Sequence, residues 1–413
     1  MRAANSPAPS RPNTFEALKY RDFRLVWFGL LVSATGTWLQ IVSLSLLVLR
    51  ITNGSALALG LVSLAQAAAF FLFSLWGGVV ADRFDRRKVL FVTQTLLGLI
   101  AAALGVLAIT NRASLPVIVL LAFGSSAVLS FDQPTRSALV PGLVPRESLM
   151  NAVSLQAVAF NAASAFGPAI AGLLAGVIGL AGNFFLNAAS FAAVLLALAF
   201  IRPGPEALRG ERKGGGVWAS VKAALTAVKG DKALPWVISG YGALLFFGPS
   251  VSLIFPVFAQ RVLGLGTAGL GLLFAASGVG TVAGGLLSAS LGGYPHKGRL
   301  FLCGLALWFA ALVAFALSRN VLLSCAALLV FGVGLNLTSA TAITLMQTRV
   351  ARELRGRVMS LNTLLMMGVR PLGDFPAGFL IGVIGAPGVV LIGASVVGAY
   401  GLWLFSRGAL REV

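Results

Sequence analysis

Val358 to Ile384 reads VMSLNTLLMMGVRPLGDFPAGFLIGVI, an apolar stretch whose only formal charges are Arg370 and Asp374. At ~1.5 Å per helical residue it is long enough to cross the ~30 Å hydrocarbon core of a bilayer. An isolated charge at that depth costs from ~3 to more than 10 kcal/mol, so such residues face a bundle interior and often mark a functional path. Spaced four apart, Arg370 and Asp374 share one helix face, where cation and carboxylate can partly neutralise each other. One reading is a structural ion pair that fixes helix packing. The other is that Asp374 or Arg370 binds substrate or carries a coupling proton.

The rest of the chain repeats this pattern. Of its 413 residues 58% are hydrophobic and 10% charged, with a mean hydropathy of +0.93. A soluble chain of that length could not hide so much apolar surface. Twelve apolar runs of membrane-spanning length are centred near residues 37, 69, 99, 125, 165, 192, 248, 279, 308, 333, 370 and 396. Backbone groups in lipid must satisfy one another, so the runs are helices or broken helices and the expected fold is an all-α membrane protein. The first run follows a charged, Pro-containing leader and is too long and too late for a cleaved signal peptide.

A formal net charge of +19 would ordinarily raise nucleic acid as a partner, but the distribution of charge says otherwise. With the N-terminus in the cytoplasm, 26 of the 31 Lys and Arg residues fall on the cytoplasmic side. Only Arg50, Arg112, Arg261 and Arg319 fall outside, and Arg370 lies within the membrane. By the positive-inside rule both termini are cytoplasmic. The basic surface can attract anionic headgroups, so membrane lipids are partners. No groove-reading or aromatic-interleaved element accompanies the charge, so nucleic acid is not expected to be one. Cys303 and Cys325 fall in apolar runs without a CxxC or His partner and read as small buried apolar residues. The lone His296 sits in a short polar loop, and no metal site is expected.

Residues 203–232 form the one long polar interruption, separating six runs from six: 1–202 and 233–413 as bundles, with a cytoplasmic linker between. Gly, Pro and mixed charge mark its first half as flexible, while Val217 to Val228 has apolar residues at helical spacing and suits the membrane surface. The halves are related. A shift of 206 residues aligns VPRESLMNAVSL (Val144 to Leu155) with VARELRGRVMSL (Val350 to Leu361), and the same register pairs Gly167 with Gly373 and Gly172 with Gly378. A shift near half the chain is what parallel six-helix repeats produce, predicting two pseudo-symmetric six-helix bundles. In this register Arg370 replaces Ser164 and Asp374 replaces Pro168, so only the second half carries charge there.

The loop after the second run reads GGVVADRFDRRK, Gly77 to Lys88. It resembles the signature loop of the major facilitator superfamily, G-x-L-a-D-r-x-G-r-k-x, with Asp85 standing where the pattern has its second Gly. The resemblance covers nearly the whole chain, Phe15 to Arg407. It implies that Gly78, Asp82, Arg83 and Arg87 form a gating latch that holds the cytoplasmic side shut in an outward-facing state. The corresponding loop of the second half, GGYPHKGR (Gly292 to Arg299), lacks the acid. The fifth run carries NAASAFGPAIAG, Asn161 to Gly172, similar to the family's antiporter motif at Gly167, Pro168 and Gly172. A helix kink and close packing explain such a Gly-Pro pair equally well. FDQPTRSALVPGLVPRE (Phe131 to Glu147) looks like the branch containing enterobactin exporters and macrolide-efflux proteins.

GLGTAG, Gly264 to Gly269, fits GxGxxG, but it joins two membrane runs without the strand and downstream acid of a nucleotide fold, so it reads as a turn. No Walker loop is present, and neither enzymatic activity nor a cofactor is expected. These features favour a secondary transporter, by preference a proton-coupled exporter of a small amphipathic compound (a drug, a siderophore or a similar metabolite), acting as a monomer. The resemblance places it in a bacterial inner membrane. A lipid or lysolipid carrier, with Arg370 holding a phosphate, and a non-transporting receptor on the same fold are the alternatives. Gln40, Gln66, Asn161, Asn336 and Asn362 are candidates for the cavity lining, each equally able to serve as interhelical hydrogen-bond glue.

Overall fold

The computed structural model describes residues 15–201, 225–248, 250–351, 354–408 and 410. The side chains of Leu75, Asp82, Arg146 and Ser360 are outside that description. So are residues 203–224 of the expected linker, and with them most of its surface segment. Arg352 and Glu353, half of the repeated V-x-R-E, are outside it as well.

Six helices build the first bundle: α1 (Arg21–Ile51), α2 (Ala56–Arg83), α3 (Arg86–Ile109), α4 (Leu115–Leu139), α5 (Leu149–Val177) and α6 (Gly179–Phe200). The second begins with a span broken into α7 (Leu234–Phe247) and α8 (Val251–Arg261). It continues through α9 (Thr267–Ser290), α10 (Lys297–Leu317) and α11 (Val321–Thr348). It ends with α12 (Arg355–Leu364), a π-helical turn at Leu365–Val369, and α13 (Arg370–Ser406). Capping side chains set several starts: Ser55 accepts from the Ala58 amide, Asp85 from Arg87 and Lys88, and Asn320 from Leu322 and Leu323.

Among the described residues eleven helical stretches are long and apolar enough to cross a membrane, the last running 52 residues from Arg355 to Ser406. At 1.5 Å per residue that last stretch measures about 78 Å, more than twice the hydrocarbon thickness. It is two crossings. The backbone leaves the helix at Gly385, with φ 77° and ψ 163°, a conformation that a Cβ opposes. Beyond it the chain returns along α7: Gly373 packs on Phe246 near the end of α7, whereas Tyr400 meets Ser239 at 2.7 Å and Trp403 packs on Trp236 near its start. Among the described residues there are thus twelve spans. At the paired position 206 residues earlier, Gly179 turns α5 into α6 with φ 73°. The two halves make the same turn with the same residue.

Both described chain ends lie at one face. The Ala17 amide donates to Asn151 at the start of α5, and Gly298 at the start of α10 packs on Leu410. On this terminal face Asp231 pairs with Arg349 at 2.9 Å, tying the approach to α7 to the end of α11. Burial alone would raise the Asp231 carboxyl, but the Leu234 and Ala233 amides and the Arg349 guanidinium outweigh it and hold it below its ordinary range. Large apolar side chains such as Leu72, Leu99, Leu286, Leu322 and Leu402 point outward, as lipid contact requires. One expectation needs correction: Cys303 is exposed on α10 rather than buried, because it falls on that helix's outer surface, and Cys325 is half-buried on α11.

Candidate substrate and coupling site

Arg370 stands midway along its span, fifteen residues from Arg355 and fifteen from Gly385. Leu372, Phe379, Leu380 and Val383 cover the exposed side of this helix, whereas Asp374, Gly378 and Ile381 are buried on the face that Arg370 shares. Asp374 is 4% exposed. Its Oδ1 accepts the Ser250 backbone N–H at 2.9 Å. Ser250 is the N-cap of α8, its own Oγ accepting from Leu253. The carboxylate therefore sits at the N-terminus of the helix that resumes span 7, where amide donors and the helix dipole favour a negative charge. The Ser63 hydroxyl of α2 approaches it from the opposite bundle.

Of the readings of this pair, the direct ion pair does not form, although the Arg370 charge still acts on the Asp374 carboxyl. Among the described residues two ion pairs form, Arg136–Asp132 and Arg349–Asp231, and Arg370 with Asp374 is not one of them. Asp374 satisfies the break in span 7 instead. That break also explains the asymmetry between the halves: α1, the twin of span 7, is a continuous helix of 31 residues, and its bundle carries Pro168 where the other carries Asp374. Arg370 is half-buried, close enough to the buried Tyr241 for its charge to act there. The π turn at Leu365–Val369 immediately precedes it. Such turns are frequent at functional positions because they re-aim the residues that follow.

The bundles meet along two glycine-lined seams. At the first, a Cβ on Gly172 of α5 would come within 2.5 Å of the Gly271 Cα on α9, and one on Gly278 would run into the Ala165 carbonyl. At the second, Gly378 lies against Ala56 and Gly60 of α2, Gly60 against Phe375, and Gly368 against Phe71. These approaches run from mid-membrane to the face opposite the chain ends. Arg261 of α8 adds to closure at that far face by lying over Gly54 in the α1–α2 turn. Toward the terminal face a cavity of about 290 Å³ opens between α2, α4 and α12, with Ser74, Ser130, Gln133, Ser137 and Thr363 among its lining. The expected motif on α5 divides its labour: Gly167 lets α5 approach Trp38 of α1 within its own bundle, and Gly172 serves the seam.

The segment Gly77 to Lys88, expected as a loop, is instead the last turns of α2 and the start of α3, and its packing glycine is Gly77, whose Cβ would run into the Ser130 carbonyl of α4. A Cβ on Gly78 would meet open space, so its expected part in the latch is not packing. Arg87 donates to the Ala199 carbonyl at 2.8 Å, and Arg86 to Ala138 at 3.0 Å and Ala81 at 3.4 Å. The basic cluster thus ties the carbonyl ends of α2, α4 and α6 together, where helix dipoles favour cations. Arg83 is exposed, and the Asp82 side chain lies outside the described residues. Asp85, the departure from the loop pattern, makes the N-cap of α3.

The polar candidates separate in the same way. Gln40 accepts from Asn187 at 2.8 Å, stitching α1 to α6. Gln66 and Asn336 are half-buried, Asn336 against Gly284 of α9, and Asn161 is exposed. Asn362 is half-buried, its Oδ1 enclosed without a hydrogen-bond partner. Sequence reasoning passed over Asp132, buried in α4. It accepts from Thr93 at 2.8 Å and Gln94 at 2.7 Å and pairs with Arg136 at 2.8 Å. The signal was available, since Asp132 and Arg136 stand four apart near the end of an apolar run.

With this geometry established, three comparisons bear on it. Residues 12–413 match the profile of the family described as transmembrane secretion effector, one of the major facilitator group. Enterobactin exporters EntS from Citrobacter koseri and from Shigella boydii serotype 18 are each 29% identical over 381 residues, covering 91% of this chain and 88% of theirs. Among solved structures, a bacterial homolog of the human lysosomal transporter Spinster, inward-facing and unoccupied, superposes with a TM-score of 0.73 at 15% identity. That match covers 95% of this chain and 96% of the other. A bacterial homologue of the iron transporter ferroportin, inward-facing, gives 0.74 at 18% identity, covering 94% and 99%. At such identities these two speak to the fold alone.

Proposed function

Because the chain belongs to the transmembrane secretion effector family of the major facilitator superfamily, we propose that it exports a small amphipathic compound by alternating access driven by protons. The protein is a multi-pass membrane transporter and not an enzyme. The observation that carries the finer reading is the position of Asp374, which holds the break in span 7 on one side and faces Ser63 of the other bundle. Protonation there removes the charge that the Ser250 amide and the α8 dipole hold, loosening the joint between α7 and α8. α8 also packs on α1 and α2, so the loosened joint reaches the closed far-face seam. A change of protonation at Asp374 is in this way linked to the packing between the bundles, and the seam packing with its cavity toward the terminal face supports reading this as an inward-facing state. The enterobactin exporters among the relatives support outward movement of a siderophore-like compound, and a bacterial inner membrane as the site.

The test is accumulation in everted vesicles under an imposed proton gradient, across a panel of siderophores, antibiotics and amphipathic acids. Gradient-dependent uptake of at least one class, abolished by a protonophore, is expected; uptake indifferent to the gradient for every cargo would remove proton coupling.

Orientation is tested by cysteine labelling of sealed cells, in a background lacking Cys303 and Cys325. Engineered cysteines near Asn111 or Asn320 should react with an impermeant maleimide, and one at Lys213 should not. External labelling at Lys213 would reverse the topology.

For the loop after α2, Asp82→Asn should lower transport while the protein still folds, by weakening charge-assisted contacts that form when the terminal face closes. If transport and the reactivity of terminal-face probes both stay at wild-type levels, the loop is a topology signal only.

A further inference from the structure

We infer that Arg370 is the recognition point for an acidic group on the cargo, so that the transported compound is an amphipathic anion bearing a carboxylate, phosphate or phenolate. The inference rests on the export reading and narrows its substrate class. A guanidinium does not shed its proton in a protein, so the charge at mid-membrane is permanent and requires a counter-charge. Among the described residues none is free to supply it directly. Asp374, one turn away, feels the Arg370 charge, but its Oδ1 accepts from the Ser250 amide and it makes no direct ion pair with Arg370. Asp132 is paired with Arg136 and bonded to Thr93 and Gln94. Asp231 is paired with Arg349, and Asp85 caps α3. Glu16, Asp22 and Glu147 precede or open helices at the terminal face, half a membrane away.

The surroundings of Arg370 also suit an amphipathic anion. The Leu372, Phe379 and Leu380 side of its helix faces lipid, whereas Arg370 is half-buried on the opposite face, which turns toward the other bundle. Seven residues before Arg370, Thr363 reaches the cavity toward the terminal face, whose lining combines Phe70 and Leu129 with Ser74 and Gln133. A cargo with an acidic head and an apolar body matches the chemistry of the guanidinium and of this mixed lining. A planar fork binds carboxylate or phosphate with two parallel hydrogen bonds, which a lysine cannot reproduce.

The experiment is equilibrium binding to the full-length protein in nanodiscs of zwitterionic lipid, with no gradient, so that a failure of proton coupling leaves the result readable. The probes are 11-(dansylamino)undecanoic acid and its methyl ester, followed by dansyl fluorescence, with two further acid and ester pairs built on naphthyl and steroid bodies as competitors. For at least one pair the acid should bind about tenfold or more tightly than its ester, the scale of one charge-assisted contact. Arg370→Gln should erase that preference, Arg370→Lys should keep part of it, and Gly382→Ala, whose Cβ meets open space, should leave it intact. Displacement of the dansyl acid by lysophosphatidate but not by the naphthyl and steroid acids would identify the anion as a lipid headgroup; displacement by those acids would identify a soluble cargo. Equal binding of acid and ester in every pair, no saturable binding of any acid, or an acid preference that survives in Arg370→Gln would overturn the proposal. The wild-type comparison of acid with ester stands even if a variant fails to fold.

Discussion

Asp374→Asn is expected to reduce gradient-driven efflux to the level of vesicles without the protein, while downhill exchange of the same cargo persists. Asparagine keeps an oxygen that accepts the Ser250 N–H, so the joint between α7 and α8 retains its hydrogen bond and loses only its titratable charge. Leucine is a harsher change, because it strands a buried amide donor at a cost of about 1–3 kcal/mol. The double variant Arg370→Leu/Asp374→Leu separates the remaining readings. If the two residues were a structural pair, removing both would be tolerated better than removing one, since a single change leaves a buried charge alone. The geometry argues against that outcome: Asp374 is held by the Ser250 amide rather than by a direct ion pair with Arg370, and the double variant should be as inactive as either single one. Active proton-driven transport in the double variant, or in Asp374→Asn, would defeat the coupling role.

The second large effect is expected at the seams. Gly172→Leu and Gly278→Leu place side chains where α5 and α9 leave no room, as Gly378→Leu does between α13 and α2. Overpacking of this kind costs about 1–3 kcal/mol, enough to shift a two-state equilibrium roughly 5- to 150-fold away from far-face closure. Transport should fall, and cysteines placed in the central cavity should become more reactive to impermeant reagents from the far side. Gly382→Ala is the internal control, because a Cβ there meets nothing within 4 Å. Wild-type transport in Gly278→Leu would mean that the seam has slack that its backbone spacing does not reveal.

Much of this molecule was legible in one dimension. Lipid forbids unpaired backbone, so twelve apolar runs had to be helices, and the 26 basic residues assigned to one side gave an expected orientation before any coordinates. The internal repeat was legible too, and in its register Gly179 and Gly385 take the same left-handed turn. These features are local: each depends on the composition or spacing of a short segment in a known solvent. The partner of Asp374 is not local. It is a backbone amide 124 residues away, exposed only because span 7 breaks there, and no pattern of side chains announces a backbone donor. The same limit applies to Gly77 and Gly78, adjacent and alike in sequence, of which one packs on α4 and the other meets open space. Sequence determined which residues must enter the membrane and that two charges go with them. Only the tertiary structure decided which charge is satisfied and which glycines touch, because those answers depend on how helices from distant parts of the chain are set against one another.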